Sequence, residues 1–549
     1  MIKSFKSIAK DDAKLIMAHM YVAFIALFVG ATAGLVQTLE RSGKFTLPAG
    51  IGYYQILTVH GVVLGLVLTT FFILGFMLSA QSKTTGGYNK TERIIGWTGF
   101  WVMVVGTVSA AVMILLNEAT VLFTFYAPLQ AHVIFYIGLA LVIVGTWLIG
   151  FVIFKRHARF RKENPGVQTP LLSYMAVITM LMWQIASIGV AVTVIFQMIP
   201  WALGIVPTID VLLSRTLFWY FGHPLVYFWL LPAYMMWYAI MPKIIGGKIF
   251  SDSLARFTFI LLLLFSIPVG FHHQLTEPGI DPFWKYMQVI LTFLVVIPSM
   301  MTAFSMFATF EIRGRELGAK KVFGWLKKMP WKDVRFLAPF IGMLFFIPGG
   351  AGGIINASNQ MNQVIHNTIW VTGHFHLTVA TTVMLTFFGI AYWLIPTMTG
   401  RKFTPFANKL GIIQTILWTV GMTIMSTAMH WQGLLGGPRR SAYSEYVGNA
   451  DTAAWGPYQM AQAVGGSILF LGMIVMIVVF VYLAFFAPKG EEEYPLAEVY
   501  DEAEKTPAVF ENWKLWTAVT IALILFAYTI PLMDIIQNAP MGAKGFKLW

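Results

Sequence analysis

The sequence predicts an all-α, polytopic membrane protein of about 13 transmembrane helices with its N-terminus in the cytoplasm. Three observations carry this. Of the 549 residues 58% are hydrophobic and 11% charged, where a soluble domain carries about 25% charge, and the mean hydropathy is +0.72. Apolar runs of membrane-helix length recur along the whole chain. The basic residues are also unevenly placed. With the N-terminus inside, 29 of the 37 Lys and Arg fall in inner segments, Arg256 counted with the loop it borders. That is the positive-inside bias of an inner membrane, and an odd number of crossings then leaves the C-terminus outside. The formal charge of +13 therefore points to loops facing anionic lipid and not to nucleic acid.

The spans, in order, are 15–38, 51–80, 95–117, 128–154, 169–198, 213–241, 254–275, 286–310, 336–356, 363–396, 410–430, 458–486 and 515–537. They form one membrane domain over 1–549: a cytoplasmic segment 1–14, a core 15–486, a charged inner linker 487–514, an additional helix 515–537 and an outer tail 538–549. Four lysines precede the first run, which is too long for a signal-peptide core, so no cleaved signal is expected. The basic clusters Lys155–Lys162 and Arg313–Arg335 read as topogenic inner loops. The chain has no cysteine. Disulfides, iron–sulfur clusters and thiolate sites are excluded, and histidine becomes the natural ligand for a transition metal or haem.

His19 on the first span has no evident partner and reads as a locally bonded residue. His60 lies mid-span on the second, beside Gly61 and Gly65, which let something flat approach the backbone. His132 reads as structural and His157 as solvated. On the sixth span His223 and Tyr227 are four apart and share a face. Tyr234 and Tyr238 extend it at seven and eleven residues beyond Tyr227. Phenols in lipid need acceptors or water. The seventh span ends in His272-His273, which can converge on one ion with His223 where the helix unwinds. Copper suits three imidazoles, and zinc accepts them too. Thr292, Ser299 and Thr302 share one face of the eighth span. The ninth ends in the glycine-rich run Pro348–Gly353, a close-packing or loop signal.

The tenth span carries Gly373-His374-Phe375-His376. Each helical residue turns by about 100°, so His374 and His376 point about 200° apart. They cannot share a metal, yet they can serve two centres on opposite sides of one helix. After the eleventh span, Gly437-Pro438-Arg439-Arg440 places two arginines outside, against the charge trend. Guanidinium groups pair carboxylates bidentately.

Taken together, Gly222-His223-Pro224-x-Val226-Tyr227, His272-His273, Gly373-His374-Phe375-His376 and the Gly-x-Pro-Arg-Arg run ending at Arg440 resemble the catalytic subunit I of the haem–copper oxidase family. They occur in the family's order, and the resemblance covers nearly the whole chain. It implies a terminal respiratory oxidase that reduces dioxygen to water, a multi-pass protein of a prokaryotic inner membrane. His60 and His376 would be the axial ligands of a low-spin haem, taken as haem B. His374 would be the proximal ligand of a high-spin haem of A or O type. His223, His272 and His273 would hold one copper ion, and Tyr227 would be cross-linked to His223. Arg439 and Arg440 would hold haem propionates, with His366 in the same region.

The departures are informative. Leu225 stands where many family members carry a proton-relaying Glu, so that channel should be absent. The chain looks like the B-type cytochrome c oxidases, whose single proton route would run through Ser251, Tyr238, Thr302, Ser299, Tyr234 and Thr292 to Tyr227. Asn367 stands beside His366 where members with a magnesium site have Asp, which makes that metal doubtful. The role of Asn362 stays open. The electron donor implied is cytochrome c, by way of a subunit II carrying a dinuclear copper centre, since no cysteine is available here for such a centre. A quinol oxidase or a nitric oxide reductase of the same fold is the alternative, although the latter lacks the cross-linking tyrosine. A proton-coupled transporter is the reading from a different class.

Overall fold

Inside a bilayer every backbone N–H and C=O must be satisfied within its own segment, which leaves helices as the form for these apolar runs. A computed structural model describes residues 8–442, 449–500 and 506–539. The first seven residues of the N-terminal segment, residues 501–505 of the linker and residues 540–549 of the tail lie outside the described residues. The bundle comprises α1 (Lys10–Arg41), α2 (Tyr53–Thr85), α3 (Lys90–Leu115), α4 (Val133–Glu163), α5 (Leu171–Ala202) and α6 (Val211–Ile244). Then come α7 (Asp252–Ser266), α8 (Pro282–Glu316), α9 (Val334–Ala357), α10 (Ile369–Thr399), α11 (Pro405–Leu434), α12 (Ala450–Phe486) and α13 (Trp513–Gln537).

Twelve of these are long and apolar enough to cross a membrane. The thirteenth expected span, 254–275, is broken. At 1.5 Å per residue α7 covers only about 22 Å, short of the roughly 30 Å hydrocarbon core. Pro268 lacks an amide and restricts Ile267 before it. The chain then makes a tight turn over Gly270–His273. The break leaves the paired histidines on irregular backbone inside the protein, the one place a membrane tolerates it.

The three most buried spans are α6, α10 and α2, and they carry His223, His374 with His376, and His60. Two of them widen locally into π-helical turns, over Val63–Leu68 in α2 and Thr378–Val383 in α10. In α10, Thr381 donates to the His376 carbonyl (2.8 Å) and Thr382 to that of Leu377 (3.2 Å), each five residues back. Such bulges mark functional positions in helices. Glycines set the close approaches elsewhere: a Cβ on Gly106 would stand 2.5 Å from the Gly138 carbonyl, locking α3 onto α4.

Of the two readings of the glycine-rich run after Pro348, close packing holds: the run lies inside α9 and packs on α10, where a Cβ on Gly349 would be 2.8 Å from Thr378. The basic cluster Lys155–Lys162, expected as an inner loop with His157 solvated, is helical instead, because α4 runs on to Glu163. Arg156 is buried and pairs with Glu163 at 3.3 Å. His157 is buried too, against the Trp513 ring at 5.2 Å, since the start of α13 covers it.

Candidate functional site

A cavity of about 620 Å³ lies within the bundle. It is lined by His60, His376, His374, the three other candidate metal ligands, Tyr227 and both outer arginines. His60 and His376 face each other across it with ring centroids 6.3 Å apart and planes 14° apart. That is roughly the span of one metal ion with an imidazole bond of about 2 Å on either side, the length typical for zinc. Each ring is turned by its own second nitrogen. His60 Nδ1 bonds the Gly30 carbonyl at 2.9 Å, and His376 Nδ1 bonds that of Thr372 at 2.8 Å. A carbonyl only accepts, so both Nδ1 atoms carry the proton and both Nε2 atoms are free to ligate. Gly34 makes the room, for a Cβ there would lie 2.7 Å from His60 Nδ1.

His374 leaves the same helix on the other side. Its ring lies against Gly352 of α9, where a Cβ would come within 2.7 Å of Nδ1. The glycines beside His60 and His374 form cradles that side chains would fill.

Across the cavity, His223, His272 and His273 bring one ligand nitrogen each within 4.8 Å of one another. Among the described residues this is the one group of three or more metal-ligating side chains so placed. His223 Nδ1 is 3.0 Å from His273 Nε2. Its other nitrogen, Nε2, meets Tyr227 Oη at 3.2 Å. His272 Nδ1 donates to Thr292 Oγ1 (3.0 Å), whose own proton goes to the Gln288 carbonyl (2.7 Å). The Trp219 indole stacks on His273 at 3.8 Å and 6°. All three rings are therefore oriented by neighbours, as metal-binding imidazoles are.

At the outer rim Asn367 and Arg440 take left-handed backbone, with φ of 59° and 62°. The Asn367 carbonyl accepts from Arg439 N (3.0 Å), and its Oδ1 accepts from Arg439 Nη2 (3.1 Å). Among the described residues the buried Arg439 Nε has no hydrogen-bond partner. Burial, with Arg440 adjacent, pushes Arg439 down to about 9. Arginine does not surrender its proton in a protein, so the cluster keeps its positive charge and suits an anion. Arg440 also lies over the Phe123 and Tyr126 rings, at 5.6 and 5.4 Å. His366 bonds Asn362 Oδ1 through Nδ1 (3.0 Å), and burial followed by Arg439 holds it down to about 4, neutral. Asn362 in turn donates to the Asn356 carbonyl at 2.7 Å.

The sequence pattern of the family described as cytochrome c and quinol oxidase polypeptide I matches residues 14–468. The chain belongs to this family. It is 39% identical to cytochrome c oxidase subunit 1 of Thermus thermophilus over 98% of both chains. It is 25% identical to the haem–copper oxidase subunit I+III of Aeropyrum pernix, over 86% of this chain and 56% of that one. A haem–copper terminal oxidase dimer solved by cryo-EM superposes with a TM-score of 0.90 at 36% identity, covering 98% of this chain and 94% of that one. The protein is thus the oxygen-reducing catalytic subunit of a multi-pass membrane oxidase, an oxidoreductase that works in a complex with other subunits. Haems and copper are its cofactors, and the glycine cradles, the buried arginine pair and the three-imidazole cluster fit them.

In this haem–copper oxidase subunit the expected proton-route residues fall into pieces. Tyr238 Oη donates to Thr302 Oγ1 at 3.1 Å, and Tyr234 Oη reaches Ser299 Oγ at 3.5 Å. Thr292 is bonded to His272 and Tyr227 to His223, as above. Ser251 caps α7, accepting from Leu254 N at 3.1 Å. Leu225 is buried among apolar neighbours. Thr258, which sequence reading missed, sits 3.3 Å from Tyr238 Oη. Its signal was its place seven residues after Ser251, on the same face of α7. Trp219 carried no signal, since it acts by stacking on His273, remote in sequence.

Proposed function

We propose that the chain, a single membrane domain over 1–549, is a B-type cytochrome c oxidase subunit I that reduces dioxygen at a haem–copper centre with one proton route. The observation that carries this is the trio His223, His272 and His273, with Tyr227 bonded to it and His374 facing the same cavity. His60 and His376 are the proposed ligands of a low-spin haem B, and His374 that of the high-spin haem. The trio holds copper, and Arg439 and Arg440 hold propionates beside His366. The cavity extends between α8 and α9 past Phe293, Met300, Phe346 and Ile347. An apolar extension of that kind supports a high-spin haem of A or O type, which carries an isoprenoid tail.

The bound haems and copper supply electron transfer and an open coordination position for dioxygen. The chain's own residues do the rest. Tyr227, covalently joined to His223 as the family resemblance implies, presents its hydroxyl proton at the cavity wall. Behind it Thr292, Tyr234, Ser299, Thr302, Tyr238 and Ser251 offer hydroxyls back towards the inner face, with Thr258 beside Tyr238. Protons taken from inside and electrons from outside make turnover electrogenic, worth about 2.3 kcal/mol per charge across 100 mV. Pumping of further protons belongs to the same reading.

The proposed donor is cytochrome c, through a subunit II with a dinuclear copper centre, in a prokaryotic inner membrane. The name of the Thermus relative and the inner bias of Lys and Arg support it. Asn367, tied to Arg439, supports no magnesium site. The test is pyridine-haem and copper analysis of the purified complex, with turnover on reduced cytochrome c and on a quinol. Two haems, one copper beyond those of subunit II and turnover with cytochrome c are expected. Absence of copper, or turnover with quinol alone, rejects the assignment.

A further inference from the structure

The turn that presents His272 and His273 is held from a helix outside the family's matched region. Gly270 and Phe271 lie where α7 has unwound, and among the described residues their amides find no backbone acceptor, while the Ile267 carbonyl accepts from Val269 N at 2.8 Å. A buried amide left unpaired costs about 1–3 kcal/mol. The partners come from two side chains. Gly270 N donates to Tyr528 Oη at 2.9 Å, and that hydroxyl reaches back to the Ile267 carbonyl at 3.4 Å. Phe271 N donates to Gln288 Oε1 at 2.8 Å, while Gln288 Nε2 donates to the Ala527 carbonyl at 3.1 Å. Tyr528 and Ala527 belong to α13, beyond residue 468 where the family match ends. Gly270 is required for this contact, since a Cβ there would stand 2.5 Å from Tyr528 Oη. The inner end of α7 is tied to the same C-terminal stretch, where Arg256 reaches Glu511 at 3.3 Å.

We propose that Tyr528 is a positioning residue for the copper site: its hydroxyl fixes the Gly270–His273 turn and so the aim of two of the three imidazoles. Groups hydrogen-bonded directly to metal ligands affect metal affinity about 10- to 100-fold when removed; Tyr528 acts one step further out, through the backbone of the turn, so the lower end of that range is expected. The inference rests on the assignment of copper to the trio. It is tested on the purified oxidase complex by the rate of copper loss to a chelator, read beside the haem spectrum. Wild-type complex without copper at this site removes the assignment itself, a different failure from the ones below. Tyr528→Phe should keep both haem bands and lose copper about tenfold faster. Gln288→Leu, which frees the Phe271 amide, should behave alike. Val519→Ala trims α13 packing nine residues before Tyr528, against a cluster that contains neither Phe271 nor Tyr528, and should retain copper as wild type does. Wild-type copper retention in Tyr528→Phe overturns the proposal. So does loss of haem and copper together, or equal copper loss in Val519→Ala, because the hydroxyl would then serve only the fold.

Discussion

Tyr227 shows how much chemistry one side chain carries. Its hydroxyl lies 3.2 Å from His223 Nε2, on the nitrogen that His223 does not turn towards His273. Tyr227→Phe removes that proton and leaves every imidazole in place. We expect oxygen consumption to fall to background with both haem bands intact; measurable turnover in that variant would refute the role. Gly34→Ala is a second residue-scale case. Its Cβ would stand 2.7 Å from His60 Nδ1, so the ring must swing and break its 2.9 Å bond to Gly30. Loss or a marked shift of the low-spin haem band, with the high-spin band retained, is the expected spectrum. The histidines were legible in the sequence because no cysteine competed for the ligand role and because few polar side chains survive in lipid without a task. Gln288 and Tyr528 were not, since their partners are backbone groups that only the folded chain brings near.

At the scale of elements, helical spacing foretold the phenol stripe of α6 and the hydroxyl stripe of α8, and the bonds between them connect Tyr238 to Thr302 and Tyr234 to Ser299. Thr302→Val keeps the shape and removes one link. A hydrogen bond of about 1 kcal/mol in a limiting proton transfer is worth roughly fivefold in rate. Turnover should drop by about that factor, with proton uptake slowed equally and the spectrum unchanged. Full-rate uptake would remove Thr302 from the route. Hydropathy read α7 as a full span, because it registers the apolar content of Ile267–Phe271 and is blind to the lost amide of Pro268. The unwinding that presents the paired histidines was therefore foreseen as a possibility and not as a boundary. The π-helical turns after His60 and His376 left no mark in the sequence, for nothing in residue spacing distinguishes a ladder five residues deep from one of four.

For the whole molecule, loop charge and span count carry the topology. With the broken α7 and its turn read as a crossing beside the twelve long helices, the number of crossings is odd, and the two termini should lie on opposite faces of the membrane. A phosphatase fused after Trp549 should be active outside the inner membrane and one fused before Met1 inactive; the reverse pattern would overturn the orientation. Much of the fold was readable this way because lipid punishes every unpaired backbone group and so enforces helices. In the proposed assignment His374 and His376 leave opposite sides of α10, and that rod is among the most deeply enclosed in the bundle. The gap an electron must hop between the two centres is then the width of a single backbone. Because both ligands ride one helix, a substitution that shifts α10 should disturb both centres at once and not one alone.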